Sequence, residues 1–79
     1  LVLYPNPADS KVNLSNPRQI DLKNVTIYDL TGRIVNKVDL STMGSEITID
    51  IATLANATYM VVIRGAQGIS TKQLIVNNY

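Results

Sequence analysis

Asn24-Val-Thr-Ile-Tyr-Asp-Leu-Thr-Gly-Arg-Ile-Val35 reads as a strand, a tight polar turn and the start of a returning strand. Val25 and Ile27 alternate with Thr26 and Tyr28, the period of two that lets a strand bury one face. Asp29 is placed to hydrogen-bond the backbone two residues on, and Gly32 can take a positive φ that a Cβ would resist. A hairpin in the middle of so short a chain sets the pairing register of the strands on either side. Turn chemistry accounts for every residue in it, so a functional reading has to come from elsewhere.

Toward the C-terminus, the arm Arg33 to Leu40 is expected to place Ile34, Val38 and Leu40 on one face, with Asn36 among them. Ser41 to Ser45 is a turn cluster. Glu46-Ile-Thr-Ile-Asp-Ile51 alternates most cleanly, with Ile47, Ile49 and Ile51 inward and Thr48 and Asp50 outward. Ala52 to Ala57 is a connection with one helical turn, anchored by Leu54. Tyr59 to Arg64 is apolar on both faces and is expected to be a central strand covered on two sides. Gly65-Ala-Gln-Gly68 is a turn, Ser70 to Val76 the last strand, and Asn77-Asn-Tyr79 the tail.

Toward the N-terminus, Arg18 to Lys23 is a mixed connection, with Ile20 and Leu22 in a short edge strand. Asn16-Pro17 ends the preceding strand, Lys11-Val-Asn-Leu-Ser15, whose Val12 and Leu14 point one way. Leu1 to Tyr4 is a short β-prone run stopped by Pro5-Asn6-Pro7, through which no helix or central strand can pass. About seven short strands with turn signals between them predict an all-β, immunoglobulin-like sandwich of two antiparallel sheets. The first and last strands would be edges, with Pro5, Pro7, Lys11 and Lys72 discouraging stray pairing.

The composition agrees. The 79 residues suit one domain, and 46% hydrophobic residues, led by Ile, Val and Leu, suit a packed β core. The absence of Cys and His removes thiolate catalysis, zinc–thiolate sites and the commonest general base. The net charge of +1 comes from cations scattered singly, without the dense basic face that nucleic acid requires. The apolar runs are far shorter than a transmembrane segment, and no basic-then-apolar signal segment opens the chain. Because Leu1 is not an initiator methionine, the chain is expected to be a module cut from a longer protein.

Little chemistry is encoded. Asp9, Asp21, Asp29, Asp39, Glu46 and Asp50 sit beside turns or at outward strand positions, and a glycosidase needs two carboxylates facing across a cleft. Leu30 interrupts the alternation of oxygen ligands that would make Asp29-Leu-Thr-Gly32 half of a calcium loop. The serines have no histidine partner, and no glycine-rich phosphate loop occurs. Sequons at Asn13, Asn24 and Asn56 arise readily in an Asn- and Thr-rich β chain. Tyr4, Tyr28, Tyr59 and Tyr79 offer the material for a sugar-stacking platform, though strand tyrosines more often pack with a wet hydroxyl. The residues thus describe a small β module that is not an enzyme and holds no cofactor.

Four motifs occur in order along essentially the whole chain: Tyr4-Pro-Asn-Pro-Ala8, Val25-Thr-Ile-Tyr-Asp-Leu-Thr-Gly-Arg33, Leu54-x-x-x-x-Tyr59 with its apolar strand, and Lys72-Gln-Leu-Ile-Val76. Together they resemble the C-terminal sorting domain of the type IX (Por) secretion system of Bacteroidota. The resemblance implies a single domain over residues 1–79 that directs an N-terminal cargo domain across the outer membrane. It implies passage through the periplasm, recognition by the outer-membrane translocon, removal by a sortase-like protease upstream of Leu1, and release or surface display. Pro5, Asn6 and Pro7 match the entry motif, Asp29 and Gly32 the hairpin turn, Tyr59 the central strand, and Lys72, Leu74, Ile75 and Val76 the terminal strand. A terminal edge strand with unpaired backbone groups, aided by Lys72, is the expected contact surface. One departure stands out: Ala57 replaces the glycine usual two residues before the tyrosine, and Asn56 is expected to supply the left-handed position instead. The tail also runs slightly past the family's usual lysine-rich finish. The alternative reading is a carbohydrate- or protein-binding β-sandwich retained on a secreted enzyme or adhesin.

Overall fold

The computed structural model describes residues 1–77, which contain seven strands and no helix. They are β1 Val2–Tyr4, β2 Lys11–Ser15, β3 Leu22–Tyr28, β4 Ile34–Asp39, β5 Glu46–Asp50, β6 Ala57–Gly65 and β7 Gly68–Val76. They form two antiparallel sheets, in the orders β1-β2-β5 and β4-β3-β6-β7. Two antiparallel sheets and seven strands are what the alternation and the turn spacing predict.

The core lies between the sheets. Leu3, Val12, Leu14 and Ile49 from the first sheet meet Val25, Ile27, Tyr59, Val61, Ile63, Leu74 and Val76 from the second in one buried cluster. Leu40 and Ile51, each one residue beyond a strand, close its ends. Burying each such side chain stabilises the fold by about 1.5–3 kcal/mol before the entropy of ordering it is set against that. Ile47 is half-buried against the same cluster, so the inward face read for β5 is correct.

Several expectations change. The register between β3 and β4 shifts between Ile27 and Tyr28, so Ile34 pairs with Tyr28 and stands 55% exposed. Val35 packs against the core in its place, because a bulge of one residue reverses the faces beyond it. The short edge strand expected at Arg18 to Lys23 is absent. Leu22 and Lys23 open β3, and the residues before them form a loop in which Asn16, 2% exposed, bonds the N–H and the C=O of Ile20.

Ala52 to Asn56 makes a turn closed by Leu54 N–H to the Ile51 carbonyl, with no helix. Among the described residues Gln19, at φ +49°, is the non-glycine residue in the left-handed region, so Asn56 does not take that role. β6 lies between β3 and β7, and Tyr59, Val61 and Ile63 are buried. Met60 and Val62 on its other face are only half-buried, so it is not covered on two sides. Gly65 is required there: a Cβ would sit 2.7 Å from the Asp21 carbonyl oxygen.

Candidate functional site

The motif residues fall into two groups, one local and one joining the chain ends. The local group is the β3–β4 turn. Asp29 Oδ1 accepts from Thr31 N at 2.9 Å, Thr31 Oγ1 at 2.6 Å and Arg33 N at 3.0 Å. Arg33 Nε lies 3.3 Å from Asp29 Oδ2, and Gly32 takes φ +89°. The Thr31 hydroxyl, followed by the Arg33 amide, holds the Asp29 carboxyl below the usual aspartate range. This is an Asx-type turn whose polar groups are satisfied within four residues, as the sequence predicts.

The second group joins the ends of the chain. Asn6 Nδ2 donates to the Gln73 carbonyl at 2.9 Å, and Ile75 N–H donates to Asn6 Oδ1 at 2.9 Å. Two residues further on, Ala8 N–H donates to the Ile75 carbonyl and Asn77 N–H to the Ala8 carbonyl, both at 2.8 Å. Ala8 and Val76 form a parallel bridge, and both are 1% exposed. The segment thus adds to the outer edge of β7. Neither Pro5 nor Pro7 has an N–H, and the Asn6 side-chain amide supplies a donor and an acceptor at strand spacing.

This arrangement closes the second half of the terminal edge that was expected to be open. From Gln73 to Asn77 the outward C=O of Gln73, both groups of Ile75 and the N–H of Asn77 are already paired. Of the terminal-motif side chains, Leu74 and Val76 are in the core, Ile75 is 39% exposed on the outer face, and Lys72 is half-buried. Leu1, Val2, Leu3, Asn6, Lys72 and Gln73 line a groove of about 390 Å³ between β1 and β7. Ala8 carries no chemical signal of its own; its position directly after Pro7 is the only cue to its place in the junction.

The remaining motif residue, Tyr59, is 5% exposed and donates its hydroxyl to the Ala55 carbonyl at 2.7 Å, tying the turn before β6 to the core. The tyrosines do not assemble a platform. Tyr4 donates to Glu46 at 2.6 Å across the smaller sheet, and that bond raises its phenolic pKa. Tyr28 lies on the outer face of the larger sheet, 3.4 Å from Arg64 Nη2, Tyr59 is in the core, and Tyr79 is outside the described residues. Two further carboxylates serve turns: Asp39 accepts from Ser41 N–H and Asp50 from Ala52 N–H, each at 2.9 Å. Among the described residues no cluster of three or more His, Cys, Asp or Glu is placed to hold a metal, and no helix is long and apolar enough to cross a membrane.

The chain was compared with known families, curated proteins and solved structures. No curated protein and no solved structure matches it. The family model described as the secretion system C-terminal sorting domain matches residues 2–77, from β1 through the junction at Asn77. That span takes in nearly the whole chain and both groups of motif residues, and the chain belongs to the secretion system C-terminal sorting domain family.

Proposed function

We propose that this domain directs an N-terminally attached cargo protein from the periplasm through the outer-membrane type IX translocon. A sortase-like protease then removes the domain upstream of Leu1, and the cargo is secreted or displayed on the cell surface. A sorting signal for type IX secretion is what the family provides, and it is not a catalytic family. The observation that carries the reading is the family match across residues 2–77, which includes Pro5-Asn6-Pro7, the hairpin turn, Tyr59 and the terminal strand.

The geometry supports a folded signal over a linear one. Asn6 and Ile75 are 69 positions apart, and their hydrogen bond exists only when the sandwich is closed. A receptor for the terminal motif would therefore meet it as part of a folded surface. The accessible parts of that surface are Ile75, the half-buried Lys72 and the groove beside them.

The test is a reporter carrying a signal peptide at its N-terminus and this chain at its C-terminus, expressed in a Bacteroidota host. Surface exposure of the reporter supports the assignment, and shortening by the mass of the domain supports removal. Deleting Leu74 to Tyr79 should leave the reporter in the periplasm. Normal display of that truncated fusion would rule out the terminal strand as part of the signal.

A further inference from the structure

The edge of β7 is occupied over only half its length. Along β7 the odd-numbered residues turn their backbone groups away from β6: Gln73 and Ile75 accept from Asn6 and Ala8, and Ile75 and Asn77 donate to them. The same parity directs the N–H and C=O of Ile69 and Thr71, and the N–H of Gln73, outward. β7 is last in its sheet, and no other described segment pairs with that half of the edge. Beside it runs the groove lined by Leu1, Val2 and Leu3 on one wall and Lys72 and Gln73 on the other. Lys72 forms no ion pair among the described residues, and Ile69 stands 66% exposed at the far end of the open stretch.

We infer that Ile69 to Gln73 is a strand-addition site for an extended segment of a protein partner, with a carboxylate of that segment seated against Lys72. Three observations favour this occupant. The edge already accepts an added segment at Asn6 to Ala8, so a second strand would continue an existing ladder. The groove gives such a strand the side chains of Leu1 and Val2 to pack against beside its polar lining. The unpaired ammonium of Lys72 selects a negative charge at one position. The inference rests on the sorting-signal reading, and the partner is then the part of the secretion machinery that receives the folded domain. It also moves the open part of the terminal strand: a partner pairs ahead of Gln73, because beyond it the chain's own entry motif is in the way.

The test uses the reporter fusion for display and the chain itself for thermal unfolding. Thr71→Pro deletes an outward N–H without removing a bond to β6, and proline is tolerated on such an edge. Thr71→Val keeps the N–H, Lys72→Arg keeps the charge and Lys72→Glu reverses it. T71P and K72E should melt like the parent yet lower display about tenfold, the scale of one lost hydrogen bond or ion pair at a desolvated site. T71V and K72R should display normally. If T71P fails to fold, K72E, which leaves the backbone unaltered, decides alone. Full display of folded T71P and K72E overturns the strand-addition site while leaving the sorting function standing. Loss of display by the unaltered fusion instead overturns the sorting reading itself. A parent that sediments as a dimer, broken by T71P, would assign the edge to a second copy and also overturn the inference.

Discussion

The β3–β4 turn and the junction of Asn6 to Ala8 with β7 are both built from family motif residues, and they are held in opposite ways. At the turn, Asp29 reaches partners at most four positions away, and one residue satisfies three donors. At the junction, Asn6 reaches partners 67 and 69 positions away, and the bonds form only after both sheets exist. The turn closes a short loop at small entropic cost, whereas the junction closes a loop of nearly the whole chain, which costs more. A local turn suits a scaffold. A junction of the two chain ends suits a signal that is complete only in the folded domain.

Perturbing the two regions should separate them. The largest effect is expected for Leu74→Ala, which empties a fully buried position beside the junction and should cost about 3 kcal/mol in chemical denaturation. Gly32→Val should come next: a β-branched residue at φ +89° is strained although nothing crowds a Cβ there, costing about 1–3 kcal/mol. Its loss of display should follow the unfolded fraction alone. Asn6→Ala removes two hydrogen bonds at an exposed site, about 1–2 kcal/mol, and should lower the melting temperature by several degrees. The same variant should raise amide exchange at Ile75 without changing Thr31 or Arg33.

The smallest and most selective effect is that of pH. The Asp29 carboxyl is held below its ordinary value, so its contribution is complete above the unfolded aspartate pKa, about 3.9, and is lost as the pH falls through the lower folded value. Asp39, lowered by the Ser41 amide and hydroxyl, acts in the same direction. The junction contacts are amide to backbone and do not titrate. Acid titration followed by NMR should therefore shift the Thr31 and Arg33 amides below the ordinary aspartate range and leave Ile75 unchanged. Co-titration of Ile75 would show that the two regions are not independent.

The same contrast explains what was legible in the sequence. The turn was readable because every partner of Asp29 lies within the stretch that names it. β2 and β5 were readable because Val12 and Leu14, and Ile47 and Ile49, alternate with outward polar residues. The inward face of β4 was misread at Ile34, since a bulge reverses parity without any residue type announcing it. β6 looked doubly covered because Met60 and Val62 are apolar, yet cross-strand neighbours and the Arg64 side chain, bonded to Thr26 and Tyr28, share that outer face with them. The left-handed residue fell at Gln19, not Asn56, in a loop organised by a buried asparagine. The Asn6 junction was hidden because its partners lie at the other end of the chain; only the resemblance placed both motifs in one signal.

Residue-resolved amide exchange on the folded chain tests the central claim, that the entry motif covers the last half of β7 and leaves the first half open. The account predicts slow exchange at Ile75 and Asn77, lost at Ile75 in Asn6→Ala, and fast exchange at Ile69 and Thr71 in both proteins. Fast exchange at Ile75 and Asn77 in the unaltered chain, or equal protection along all of β7, would contradict it.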